Sequence, residues 1–288
     1  MNVAILGAKG MLGMDLTKVL DQHKVSVLDI GHGDITKPKQ LREILTAFAP
    51  QVVVNCAAFT NVDDCEEKES LANQVNGYAV GDVAEICKDI SAAFVHVSTD
   101  YVFDGSQEGG YYEDDKPNPI NAYGRSKLIA EQLLQGKEVE GRKIDTEGLR
   151  WYVVRLCWLY GEHGGNFADT MVEHMNRNKE VRVVSDQWGK PTWTLDAAKQ
   201  LKLIIETLPN SGVYHVSNEG SCSRYEWIEK IKEILNKESV SVLSALSSEF
   251  KTKAKRPRHS ALMNTKLPPM RHWEIALENY LSPDDTML

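Results

Sequence analysis

Residues 3–20 read Val3-Ala4-Ile5-Leu6-Gly7-Ala8-Lys9-Gly10-Met11-Leu12-Gly13-Met14-Asp15-Leu16-Thr17-Lys18-Val19-Leu20. A short apolar run of strand type breaks into glycines spaced three apart and then into a helical pattern. This is the form of a phosphate-binding turn between a strand and a helix. Gly7 allows the tight turn, Gly10 lets a pyrophosphate approach the backbone, and Gly13 lets helix and strand pack closely. The free N–H groups of the first helical turn then face the anion. Three such glycines also occur in purely structural turns, but here the strand, the helix and the position near the start of the sequence all agree. A nucleotide cofactor is the first expectation.

With 42% hydrophobic residues in 288, the chain has enough apolar material for a sizeable core, which excludes disordered and fibrous classes. Met1-Asn2 carries no basic leader, and no run approaches the ~18 uncharged apolar residues of a membrane span. A cytoplasmic protein without a membrane partner is expected. Five cysteines, Cys56, Cys65, Cys87, Cys157 and Cys222, are odd in number and contain no Cys-x-x-Cys pair. They read as buried thiols rather than a disulfide framework, and no metal-ligand cluster is apparent. A net charge of -8 disfavours nucleic acid as a partner, while leaving room for a local basic pocket.

Strand-length apolar segments at Val3–Leu6, Val25–Asp29, Val52–Asn55, Phe94–Ser98 and Val153–Leu156 alternate with helical patterns. The alternation predicts an α/β fold with a doubly wound parallel (Rossmann) sheet. Beyond Gly161 it fades. Val213–Val216 and a helix over Trp227–Leu235 are read as parts of a smaller C-terminal substrate-binding region. The boundaries drawn are 1–160 plus about 191–208 for the dinucleotide-binding domain, and about 161–190 plus 209–288 for the substrate-binding domain. The loops Gly105–Asn121 and Gly136–Gly148 are read as surface excursions.

Asp29 ends the second strand 22 residues after Gly7, near the offset of about 20 at which an acid meets the adenosine ribose. That favours NAD, whereas Lys9 and His32 offer positive charge to a 2'-phosphate, so both cofactors stay open. Asp34-Ile35 follows, placed either to flank the adenine or, through Asp34, to cap the helix near Pro38.

Tyr123 and Lys127 are four residues apart, on one face of a helix carrying Leu128, Ile129, Leu133 and Leu134. A Tyr of ordinary pKa about 10 needs a neighbouring ammonium to bring its proton into range. Tyr112 and Lys116 repeat the spacing in an acidic loop, so the spacing alone carries little. Tyr123 gains weight by following Ser98-Thr99-Asp100-Tyr101, at the carboxyl end of an expected strand, where open α/β sheets place ligands.

With Gly7–Gly13, Asn55–Asp63, Ser98–Gly105, Asn121–Lys127, Arg155–Gly161, Asn166-Phe167, Asp186–Thr192 and Arg256-Pro257 in view, the chain resembles, over nearly its whole length, the extended short-chain dehydrogenase/reductases, and within them the dTDP-4-dehydrorhamnose reductases. The resemblance implies a pyrophosphate against Gly10, Met11 and Leu12, and an adenosine ribose against Asp29. It also implies adenine against Asp34 and Ile35, and Ala58, Phe59 and Thr60 on the cofactor's far side. It makes Tyr123 the general acid, Lys127 its electrostatic partner and ribose ligand, and Thr99 the hydroxyl that bonds the reacting oxygen. Thr99, Asp100 and Trp158 become substrate contacts, with Tyr101 as a further candidate. NADPH or NADH would be the cofactor, a dTDP-sugar the partner, and a homodimer is compatible with it. Leu156-Cys157 departs from the Thr-Ser found in many relatives, which puts the identity of the deoxysugar in question, and residues around Trp158 and Asn166 would discriminate. Lys251, Lys253, Lys255, Arg256 and Arg258 form a basic stretch read either as a diphosphate site or as a solvated loop. Two alternatives stand beside this reading: a reductase of another nucleotide sugar, and a non-catalytic dinucleotide-binding subunit like that of methionine adenosyltransferase.

Overall fold

Val3 and Ile5 turn to one face of the first strand, Ala4 and Leu6 to the other, and all four are fully buried. A strand apolar on both faces must be covered on both, and helices do this. The computed structural model describes residues 1–282. The first half contains β1 (Asn2–Leu6), α1 (Met11–Val19), β2 (Lys24–Leu28), α2 (Pro38–Phe48), β3 (Val52–Asn55), α3 (Val62–Glu67) and α4 (Glu69–Ala72). A π-helical turn (Asn73–Tyr78), α5 (Ala79–Asp89), β4 (Ala93–Thr99), a 3-10 turn (Asp100–Val102), α6 (Ala122–Leu134) and β5 (Trp151–Leu156) follow. The second half adds β6 (Leu159–Tyr160), α7 (Phe167–Arg177), β7 (Glu180–Val184), β8 (Trp188–Gly189), β9 (Thr192–Trp193) and α8 (Thr194–Thr207). It continues with β10 (Gly212–Val216), β11 (Cys222–Ser223), α9 (Arg224–Ile234), β12 (Ser241–Ala245) and α10 (Trp273–Leu281).

The main sheet has six parallel strands in the order β2-β1-β3-β4-β5-β10. Helices α2, α5 and α6 contribute to the core on one face, and α1 and α8 to that on the other. This is the doubly wound arrangement expected. Strand order reverses between β1 and β3, so the loops after these two strands diverge and leave a crevice at their carboxyl ends.

One reading is corrected. Val213–Val216, assigned to the smaller region, pairs with β5 in the main sheet. Pairing with a strand some 60 residues earlier is not written in local periodicity. The smaller region is built on α7, α9 and α10, with Tyr160, Trp193 and Trp227 in its core.

Both expected surface excursions are anchored. Ile144 is buried and Arg142 bonds Asp82 at 2.6 Å, while Tyr111 stacks on Phe103 with ring centres 4.1 Å apart. Four cysteines are buried, Cys56 is half-buried, and all five are free thiols.

Candidate active site

A cavity of about 900 Å³ opens over the β1/β3 crevice. Its floor begins with the glycine turn. Gly7 has φ +71°, and a Cβ there would lie 2.5 Å from the Ala57 nitrogen, so the loops after β1 and β3 meet this closely only because the residue is glycine. Gly10, Met11, Leu12 and Gly13 line the same wall. The first turn of α1 carries no side-chain cap and no acid. Its backbone N–H groups and positive dipole end are thus left for an anion, which fits a dinucleotide pyrophosphate.

Asp29, Asp34, Ile35, Ala58 and Thr60 line the cavity. Asp29 holds the loop together, one carboxylate oxygen accepting from the Lys9 N–H at 3.0 Å and the other from Ile30 at 2.8 Å. Lys9 lines the cavity beside it. Asp34 accepts from the Thr36 hydroxyl at 2.6 Å. It does not cap α2, whose N-cap residue is Lys37. The exception is Phe59, which is absent from the lining and packs with Cys65, Ala72 and Ala122. Asn76 in the π-turn grips both Phe59 backbone groups, at 2.7 and 3.0 Å, and donates to Ser126 at 3.0 Å. Phe59 therefore anchors the loop that carries Ala58 and Thr60.

The opposite wall comes from β4 and α6. Asn121 caps α6 by accepting from Gly124 at 2.8 Å. Gly124 itself is required, since a Cβ there would meet the Tyr101 carbonyl oxygen at 2.0 Å. The helix thus seats directly on the turn bearing Thr99, Asp100 and Tyr101, and Tyr123 and Lys127 face the cavity with all three. The Tyr112–Lys116 repeat lies outside the cavity, with Tyr112 exposed.

Burial raises the Tyr123 phenol above its ordinary value, the Asp100 charge raises it further, and a bond with Thr99 opposes them. The expected depression of its pKa by Lys127 is not found. The Lys127 amine donates to the Val97 carbonyl at 2.6 Å and lies 3.3 Å from His96 Nε2. Burial lowers the Lys127 pKa to about 8. Asp100 is buried too, which raises its carboxyl pKa; it accepts from the Thr99 hydroxyl at 3.0 Å and from the Cys157 thiol at 3.3 Å.

Trp158 lines the cavity at the seam with the smaller region, at φ +43°. A bulky residue in left-handed backbone is a strained outlier of the kind that gathers at functional sites. Its ring lies against Gly189, where a Cβ would be 2.4 Å from it, and stacks on Trp227 at 5.9 Å. Cys157, the departure from the common pattern, is fully buried behind the wall; Leu156 lines it. Asn166 lies outside the lining. It caps α7, accepting from Asp169 and donating to the Gly161 carbonyl, both at 3.0 Å.

The basic stretch does not reach the cavity. Arg256 pairs with Asp63 at 2.7 Å and Lys253 with Glu67, because α3 presents its acids to that loop. Besides Lys9 and Lys127, a further cation faces the cavity, Arg224, which sequence reasoning missed. Ser223 and Glu226 form a capping box that starts α9 at Arg224. The guanidinium stacks 4.0 Å from the Trp158 ring centre and 4.5 Å from that of Phe167. Among the described residues no carboxylate forms an ion pair with it. The capping signal Ser-x-x-Glu was legible, but the cavity it served was not.

A phosphate-binding turn across a parallel sheet's switch point from a Thr/Tyr/Lys cluster defines a dinucleotide-dependent reductase of the short-chain dehydrogenase type. The comparisons with known proteins narrow this. The family model described as the RmlD substrate binding domain matches residues 1–285, and the chain belongs to that family. It is 36% identical over 285 residues to the spore coat polysaccharide biosynthesis protein SpsK of Bacillus subtilis, covering 97% of this chain and 96% of that one. It is 35% identical to the dTDP-4-dehydrorhamnose reductase of Streptomyces griseus, covering 95% and 90%. Among solved structures, the dTDP-4-dehydrorhamnose reductase of Bacillus anthracis in complex with NADP superposes with a TM-score of 0.90 at 35% identity, covering 97% and 98%.

Proposed function

We propose that the protein uses NADPH or NADH to reduce the C4 carbonyl of dTDP-4-dehydro-L-rhamnose (dTDP-6-deoxy-L-lyxo-4-hexulose), yielding dTDP-L-rhamnose for polysaccharide biosynthesis in the cytoplasm. The observation that carries this reading is the sharing of one cavity by the glycine turn, Thr99, Tyr123 and Lys127. Membership in the RmlD family and the likeness to reductases named for this substrate support the sugar. The bound nicotinamide supplies the hydride.

Tyr123 supplies the proton. Its raised pKa keeps the phenol protonated at neutral pH, as a general acid must be before transfer. When substrate is present the single Thr99 hydroxyl proton turns from Asp100, its acceptor in the free protein, to the same oxygen and steadies its developing charge. Trp158 and Leu156 enclose the deoxysugar, and Arg224 takes the diphosphate, its guanidinium held flat by two aromatic rings and free to bond phosphate oxygens. Asp100 orients Thr99 from behind. In this reading the smaller region completes the sugar site, and a homodimer remains an expectation of the assembly.

The test is NADPH and NADH oxidation with the enzymatically generated keto-sugar, native protein against Tyr123→Phe. Turnover lost in the variant supports the reading. A native protein that binds dinucleotide without oxidising it in the presence of this and other keto-sugars overturns it in favour of a binding subunit.

A further inference from the structure

Beneath Lys127 lies a chain of buried polar groups that the reaction does not use. The Ala57 backbone N–H donates to Asn55 Oδ1 at 3.1 Å. Asn55 Nδ2 lies 3.2 Å from His96 Nδ1, and His96 Nε2 lies 3.3 Å from Lys127 Nζ. Asn55 and His96 are fully buried.

Each link constrains the next. A backbone N–H can only donate, so the amide oxygen of Asn55 must face Ala57 and its NH₂ must face the imidazole. His96 Nδ1 must then accept. Burial holds the His96 pKa well below its ordinary value, so the ring is neutral and its one proton sits on Nε2. That N–H points at Lys127 Nζ. An ammonium has three donors and no lone pair, so it meets the N–H donor to donor. An uncharged amine has two N–H groups and one lone pair: the lone pair accepts from His96, one N–H donates to the Val97 carbonyl, and the other is left for the cavity.

We infer that Asn55 and His96 lower the basicity of Lys127 in the free protein by presenting it with a hydrogen-bond donor. The second buried histidine shows the opposite polarity in the same molecule. His215 Nδ1 lies 3.0 Å from the Met263 carbonyl, which can only accept, so its Nε2 carries the lone pair, and the neighbour there, at 3.3 Å, is the permanent cation Arg155.

The other groups around Lys127 offset its burial only in part. Tyr123, on its own helix, and Cys56, on the loop after β3, are both held protonated by burial. Glu131, one turn further along α6, is spent on Arg155 at 2.6 Å and on the Ser98 hydroxyl. Burial, opposed in part by Glu131 and Cys56, brings the Lys127 pKa to about 8, and the facing N–H acts in the same direction as burial. Lys127 then keeps its proton at neutral pH but releases it more readily than an ordinary lysine, and Asn55 and His96 are positioning residues for it.

The test uses the free protein, so its outcome is independent of which sugar is reduced. The His96 tautomer is read from ¹⁵N–¹H correlations of the ring, and the Lys127 charge from the pH titration of its ¹³Cε resonance, assigned with Lys127→Met. The expected result is a proton on Nε2 together with a Lys127 midpoint at least about two pH units below the other lysines. A proton on Nδ1, or a lysine that stays an ammonium through pH 9, overturns the inference. In Asn55→Asp the carboxylate accepts from both Ala57 and His96, so the tautomer should switch to Nδ1–H and the Lys127 midpoint should rise. If that variant does not fold, the native measurement decides alone.

Discussion

Arg224 holds its guanidinium 4.0 Å from the ring centre of Trp158, a residue kept in left-handed backbone. The stack joins the start of α9 to the end of β5, so the cation and the aromatic wall of the sugar site are positioned as one unit. Arg224→Ala should raise KM for the nucleotide sugar roughly 30-fold, equivalent to the ~2 kcal/mol of a hydrogen bond to a charged group. The measurement is KM for the sugar and, separately, for NADPH, which should hardly change. Arg224→Lys should recover only part of the loss, because an ammonium cannot stack flat on two rings or bond phosphate in a planar fork. An equal rise in both KM values would show damage to the fold instead.

Tyr123→Phe removes the proton donor and little volume. Turnover should fall about 10³-fold, with dinucleotide affinity, followed by fluorescence titration, nearly unchanged. Thr99→Val should lower kcat about 10²-fold and leave KM for the sugar within a small factor.

Glu131 and Arg155 form a buried ion pair with three carboxylate contacts between 2.6 and 3.3 Å. Glu131→Gln leaves the guanidinium uncompensated and should destabilise the protein by about 3–5 kcal/mol, seen as a lower denaturant midpoint with unchanged slope. Replacing both partners with apolar residues should be milder than either single change.

The Lys127 pKa of about 8 against an ordinary value of 10.5 has a consequence for stability. Below about pH 8 folded and unfolded chains both carry the proton, and the cost of burying it is fully felt. Between there and the ordinary value the unfolded chain binds more protons than the folded one, so stability rises with pH; above both values the penalty is gone. The unfolding free energy of the native chain relative to Lys127→Met should therefore climb by on the order of 3 kcal/mol across this window. A flat difference in urea melts would mean that Lys127 keeps its ordinary basicity.

Much of this was legible in sequence because it is local. The glycine turn and the Tyr123/Lys127 spacing each depend on residues within a few positions of one another. What failed to show depends on distant partners. Val213–Val216 looked like a small-region strand because only its pairing with β5 reveals its sheet. Lys253 and Arg256 looked available because their acids, Glu67 and Asp63, lie 186 and 193 residues earlier. Phe59 looked like a cofactor contact because the Asn76 clamp that turns it into an anchor forms across a π-turn. The Lys127 spacing pointed to an ammonium beside Tyr123, whereas the amine is drawn to His96 and Val97, one strand away.

The chain leaves the sheet after Leu156, packs back onto it with α8 from Thr194, rejoins it as β10 and departs again after Val216, so the two cores interleave along the sequence. Trp273, Ala276 and Leu277 of α10 fill the core that Tyr160 begins. During synthesis the smaller core therefore waits for residues made more than a hundred positions later. Until α10 emerges, the indoles of Trp193 and Trp227 lack part of their apolar cover, which makes the nascent chain a client for chaperones. A stop codon before Trp273 should yield an aggregating product rather than a shortened enzyme.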